Sequence, residues 1–153
     1  NFEAKIIHIP GHTLGHICFY FFNEGNLFTG DTLFSLGCGR IFEGTYEQMF
    51  SSLEKIKNLP IETKIYCGHE YTLQNSKFCM TYDKNNKELI KKINDIKKLI
   101  NSNKPTIPST LEQELESNIF LRSHNIEIKT NLNISKSSAL DTFTKLRDLK
   151  DNF

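Results

Sequence analysis

The sequence is short of several things. No two of its four cysteines form a C-x-x-C pair, which excludes a finger-type structural zinc. Cys18 and Cys67 sit in apolar runs and read as small buried hydrophobes, in keeping with a reduced intracellular compartment, taken here as cytoplasmic. No apolar run approaches the ~18–20 residues that span a bilayer, so no membrane partner is expected. A net charge of +1 removes any global electrostatic case for nucleic acid. There is no repeat of 20–50 residues and no starting Met or leader; the chain opens Asn-Phe-Glu and enters an apolar run at Lys5–Ile9. Such a start is expected of a piece cut from a longer protein.

What is present suffices for one domain or two small ones. The 153 residues are 38% apolar and carry 17 aromatics, enough to bury a core and too apolar for disorder. Charge divides unevenly: residues 1–75 hold 5 Lys/Arg against 8 Asp/Glu, and residues 76–153 hold 14 against 10. A basic second half suits an anionic ligand, although solvated lysines on helix faces account for most of it.

The first half reads as strands and tight turns. Lys5–Ile9, Ile17–Phe22, Asn26–Thr29 and Lys64–Cys67 are apolar runs of strand length bounded by Gly, Pro or Asn. Thr45 and Gln48 form a capping box ahead of a helical repeat at Tyr46, Met49, Phe50, Leu53 and Ile56, closed by Pro60. In the second half, Leu89, Ile93, Ile96 and Ile100 predict an amphipathic helix over 86–101. Ser109 with Glu112 predicts a cap for a helix ending near Ser117, and Ser137 or Ser138 caps a last helix through Leu149. Residues 122–136, rich in Asn, read as loop. The expected architecture is α+β, with a boundary near residue 76: a sheet-rich part over 1–75 and a helical part over 76–153.

One punctuation recurs. Three apolar strands run out into a glycine and then a metal-capable side chain: His12 after Pro10-Gly11, Asp31 after Gly30, His69 after Gly68. Glycine permits the turn that swings the next side chain over a sheet edge, and neighbouring strands ending together would converge the three. Two imidazoles and a carboxylate suit zinc, iron or manganese, and a carboxylate can bridge two ions. His16 follows His12 at the spacing of a helical zinc pair, but Pro10, Gly11 and the β-rich run after it make His16 a hydrogen-bonded structural residue. His8 and His124 are given no role.

These residues also carry a resemblance. Pro10–His16 resembles the P-x-H-T-x-G-H motif of the metallo-β-lactamase fold, and Phe28–Phe34 resembles its F-T-G-D-T-L-F strand. Gly37–Arg40, Glu43–Thr45, Tyr66–Thr72, Pro105–Thr110, Asn118–Arg122 and Leu146–Phe153 resemble glyoxalase II, the hydroxyacylglutathione hydrolases. The resemblance implies the C-terminal part of a metallo-β-lactamase αββα sandwich followed by a small helical glutathione-binding domain. It implies hydrolysis of glutathione thioesters, S-D-lactoylglutathione foremost, by hydroxide held on two divalent metals, zinc first and iron or manganese next. By position His12 would bind one metal and His69 the other, with Asp31 between them. Arg40, Phe42, Tyr71, Arg147 and Lys150 would bind the glutathione part. Phe42 stands where the family has Tyr, and Arg40 where it has Lys. The family's T-H-x-H-x-D-H ligand cluster has no counterpart here, so the missing N-terminal part of the domain is an expected partner and the chain alone is expected to be inactive. Two alternatives are an iron enzyme like the persulfide dioxygenases of the same fold and a non-catalytic glutathione- or partner-binding fragment.

Overall fold

Alternation along the strands sorts their side chains onto two faces, and that sorting decides the architecture. The computed structural model describes residues 2–153. In chain order it contains β1 (Lys5–His8), β2 (Ile17–Phe21), β3 (Asn26–Gly30), β4 (Leu33–Phe34), β5 (Gly37–Cys38), α1 (Tyr46–Lys57), β6 (Lys64–Cys67), α2 (Thr72–Tyr82), α3 (Lys87–Asn101), β7 (Ser109–Thr110), α4 (Leu111–Ser117), α5 (Ile126–Asn131) and α6 (Ala139–Asp151). This is the expected α+β composition, with helices dominating after β6. Among the described residues no helix is long and apolar enough to cross a membrane.

Five strands form one sheet in the order β1-β2-β3-β6-β7, and β4 pairs with β5 in a separate hairpin. Among the described residues only β3 and β6 run parallel. A parallel pair needs a crossover, and α1, preceded by the β4–β5 hairpin, lies within it. On one face Cys18, Tyr20, Leu27, Thr29 and Ile65 are buried, and the apolar ones share a core cluster with Met49, Leu53 and Ile56 of α1. On the other face Ile6, Phe19, Phe28 and Tyr66 stand side by side in register. This row is open: Ile6 is 64%, Phe19 43% and Phe28 42% exposed.

The helices form largely where their sequence predicts. Thr45 Oγ1 accepts from Gln48 N and Gln48 returns a side-chain bond to the Thr45 backbone, the reciprocal cap of α1. α3 buries Leu89, Ile93 and Ile96 along one stripe, each worth roughly 1.5–3 kcal/mol of transfer free energy. α6 is capped by Ser138 with Asp141. The cap of α4 is one residue later than expected, at Thr110 with Gln113: both Ser109 and Thr110 pair with β6, but Ser109 is buried, while Thr110 Oγ1 accepts from Gln113 N.

Two helices escape the pattern. α2 buries Thr72, Asn75 and Ser76 beside Phe78 and Cys79, so its inner face shows no apolar stripe. Residue 76, the expected boundary, lies within it. α5 interrupts the stretch read as loop, capped by Asn125, which accepts from Glu127 N and Ile128 N.

Polar side chains from α2 and α4 seize the β4–β5 hairpin. Fully buried Glu114 accepts from Leu36 N at 2.9 Å and from Asn118 Nδ2 at 3.0 Å, and it pairs with Lys92. Asn118 Nδ2 donates to Phe34 O at 3.2 Å and Gly37 O at 3.1 Å, and Asn75 Nδ2 donates to Ser35 O at 3.1 Å. These bonds satisfy a hairpin too short to satisfy itself, between Asp31 on one side and Arg40 on the other.

Candidate metal centre

The sheet topology brings the punctuated strand ends to one edge. β3 and β6 are parallel neighbours, so Asp31 and His69 follow adjacent C-terminal ends. β2 is antiparallel to both its neighbours, so the β1–β2 turn carrying His12 and His16 falls at that same edge.

There Asp31 sits between the two imidazoles. Its Oδ2 is 3.5 Å from His12 Nε2 and its Oδ1 is 3.5 Å from His69 Nε2. His12 Nδ1 lies 2.8 Å from the Arg40 carbonyl oxygen. A carbonyl only accepts, so Nδ1 carries a proton and Nε2 is the ring nitrogen that faces Asp31, the orientation a metal-ligating histidine takes. His16 Nε2 accepts from Asp31 N at 3.1 Å, so His16 is hydrogen-bonded in support of Asp31, as its sequence setting predicts.

The residues present fit part of a metal site. Two donor atoms about 2.0–2.1 Å from a tetrahedral ion lie roughly 3.3 Å from each other, close to both His–Asp separations. A Cβ at Gly68 would collide with Asp31 Oδ1 and one at Gly39 with the Asp31 backbone oxygen, so Asp31 is cradled where only glycine fits. The set is incomplete: among the described residues no three His, Cys, Asp or Glu side chains close around one point. Each candidate position has two donors, His12 or His69 with Asp31, where zinc takes three or four from protein.

The same cavity, about 470 Å³, is lined by His12, Asp31 and His69 and by all five expected substrate contacts: Arg40, Phe42, Tyr71, Arg147 and Lys150. Tyr71 stacks on His69 with centroids 4.9 Å apart, and Phe42 leans on His12 at 5.0 Å. Lys150 Nζ lies over the rings of Phe78 and Phe153. Burial, with Arg147 and Arg40 nearby, holds its pKa below the ordinary lysine value. Arg147 lines the cavity from a buried position. It is 3% exposed, and its Nη1 donates to Cys38 O at 2.6 Å, tying α6 to the turn before Arg40. Sequence reasoning missed Asp151, which lines the cavity and pairs with both arginines. Its position, four residues after Arg147 on a helix, was the available signal.

A mixed sheet with helices packed on one face and a His–Asp–His set at the ends of its strands defines a domain of the metallo-β-lactamase fold. Residues 2–69 match the family model of the metallo-beta-lactamase superfamily. Residues 70–153 match the model described as hydroxyacylglutathione hydrolase C-terminus, and the chain belongs to that family. Among curated relatives, hydroxyacylglutathione hydrolase of Pelagibacter ubique is 63% identical over 153 residues, covering 100% of this chain and 58% of that protein. That of Chelativorans sp. is 45% identical, covering 100% of this chain and 60% of its own length. The chain thus spans about three-fifths of the curated relatives it matches. Among solved structures, TTHA1623 in a di-iron-bound form superposes with a TM-score of 0.52 at 25% identity, over 77% of this chain and 42% of that one.

Proposed function

We propose that the chain supplies half of the metal site and the glutathione-binding surface of a hydroxyacylglutathione hydrolase. The whole protein then hydrolyses glutathione thioesters, S-D-lactoylglutathione to D-lactate and glutathione foremost. Residues 1–75 are assigned to the metallo-β-lactamase domain and 76–153 to a helical glutathione-binding domain. The observation that carries this reading is the single cavity shared by the His12–Asp31–His69 set and the cations Arg40, Arg147 and Lys150.

In this reading His12 with Asp31 would hold one divalent ion and His69 with Asp31 a second, zinc foremost and iron or manganese as alternatives. Bound metal supplies Lewis acidity, bringing a water's pKa down to about 7 and polarising the thioester carbonyl. The chain's own residues do the rest. The Arg40 carbonyl fixes the His12 ring, and the His16 bond fixes the Asp31 backbone. The Tyr71 hydroxyl offers a hydrogen bond to the glutathione backbone, whereas Phe42 in the neighbouring wall has no hydroxyl to give. Lys150 and the two arginines take the glycine carboxylate. Water adds to the acyl carbon, the C–S bond breaks, and sulfur leaves as the glutathione thiolate.

With two donors per ion, the 153-residue chain by itself is expected to turn over poorly. The test is equilibrium dialysis against zinc beside calorimetric titration with glutathione. Zinc uptake that falls in Asp31→Asn, with glutathione binding that weakens in Lys150→Met, supports the reading. A folded chain that takes up neither zinc nor glutathione overturns it. Ordinary thioester turnover by the chain alone would sink the expectation of inactivity.

A further inference from the structure

Arg147 and Arg40 already have an anion between them. Asp151 Oδ1 lies 2.9 Å from Arg147 Nη2 and 3.4 Å from Arg40 Nε. The two guanidiniums are held differently. Arg147 is buried, bonded to Cys38 O and stacked 5.3 Å from the Phe120 ring, so its place is set without Asp151. The Arg40 side chain is 60% exposed, and Asp151 is its one ion-pair partner among the described residues. Among the same residues no carboxylate pairs with Lys150, whose Nζ faces the Phe78 and Phe153 rings at 5.5 and 5.2 Å.

We propose that Asp151 is an internal carboxylate occupying the Arg40–Arg147 pair, and that a ligand carboxylate binds by exchanging with it. The exchange rests on the glutathione reading above, because the carboxylate in question is that of the glycine residue. Three observations favour exchange over a fixed scaffold. The Asp151–Arg40 contact is long and solvent-exposed, and such pairs contribute little. Asp151 is the last residue of α6, where the helix dipole disfavours a carboxylate and favours a cation. The other acid of that turn, Asp148, is engaged by the Tyr46 hydroxyl and stays out of the competition. Lys150, with no carboxylate of its own, receives the incoming anion. Asp151 swings toward solvent, and Arg40 closes on the ligand while Arg147 keeps its carbonyl bond. Asp151 therefore sets carboxylate affinity by opposing it, and Arg40 is the arm that changes partner.

Asp151→Asn removes the charge and keeps an oxygen acceptor at Oδ1, so Arg147 is not left without a partner. Calorimetric titration of the 153-residue chain with glutathione, and with glutathione whose glycine carboxylate is ethyl-esterified, reads the exchange. In Asp151→Asn the Kd for glutathione is expected to fall about fivefold, the upper worth of an exposed pair, while the Kd for the ester stays put. Arg40→Met is expected to weaken glutathione binding more in the Asp151→Asn background than in the wild type, where Arg40 must first leave Asp151. Asp151→Glu, which retains the charge, should leave the Kd near wild type. A glutathione Kd that is unchanged or higher in folded Asp151→Asn, with the ester still discriminated, overturns the exchange and leaves the glutathione site standing. A chain that binds neither ligand, in wild type and variants alike, overturns both.

Discussion

Glu114 is the side chain whose loss should cost this fold most for the fewest atoms removed. It is fully buried, pairs with Lys92 and accepts from Leu36 N and Asn118 Nδ2. Glu114→Ala leaves an ammonium in a site where the Lys92 side chain is 11% exposed, and strands the Leu36 N–H. Breaking a buried ion pair costs about 3–5 kcal/mol, a range that includes the stranded donor. For a domain of this size that lowers Tm by roughly 6–20 °C. The penalty belongs to the orphaned charge, so adding Lys92→Met to Glu114→Leu should recover part of it. Acid provides an independent check. Burial pushes the Glu114 carboxyl up, but the Lys92 charge and the donated hydrogen bonds outweigh it, so the folded pKa lies below the ordinary 4.5. A depressed carboxylate contributes stability that is complete above the unfolded value and is lost as pH falls through the folded one. Urea unfolding followed by far-UV circular dichroism, from neutral pH down through the carboxylate range, measures both effects. Wild type should lose stability in acid more steeply than Glu114→Gln. The reasoning fails if Glu114→Ala unfolds within about 1 kcal/mol of wild type, or if Glu114→Gln shows the full acid loss.

Three further outcomes are expected. Thr45→Ala removes the acceptor for Gln48 N at the start of α1 and should cost about 1 kcal/mol in urea unfolding; no measurable change would mean that the cap is dispensable. Phe28→Thr breaks the exposed row of Ile6, Phe19, Phe28 and Tyr66 and should shift the chain from associated species toward monomer in sedimentation velocity, since open apolar patches with a free strand edge associate. An identical size distribution would clear that face of blame. Arg147→Met should destabilise thermal unfolding by about 2 kcal/mol, because the Cys38 carbonyl loses a charged donor. Arg40→Met, at an exposed pair, should cost under about 1 kcal/mol. Equal costs would show that burial of Arg147 does not matter.

Local signals carried much of the structure. The four long strands, α1, α3 and α6 all follow from apolar spacing and from capping residues adjacent in sequence, because hydrogen bonds and side-chain periods there are decided within a turn or two of chain. The cap of α4 slipped by one residue because two overlapping boxes, Ser109–Glu112 and Thr110–Gln113, satisfy the same rule, and only the tertiary structure, which buries Ser109 and leaves Thr110 Oγ1 to accept from Gln113 N, chooses between them. α2 was illegible because what it buries is polar. Thr72, Asn75 and Ser76 face inward, and Asn75 binds the β4–β5 hairpin, a partner some forty residues away that no periodicity can announce.

By itself the sequence determined which side chains stand at strand ends, since each of His12, Asp31 and His69 follows an apolar run and a glycine; Gly11 and Gly30 take positive φ, whereas Gly68 is required by the close approach of Asp31 Oδ1. It also placed Arg147 and Lys150 on one face of α6, since a helix repeats every 3.6 residues. Tertiary structure alone decided that these groups share one cavity, through the parallel pairing of β3 with β6 and the docking of α6 against the turn at Cys38. It alone buried Arg147 against the Cys38 carbonyl and set Asp151 between two arginines from different elements. The reason is range. Backbone preference and side-chain period act over a few residues, whereas charge, burial and donor geometry at this site depend on which distant segments the core brings together.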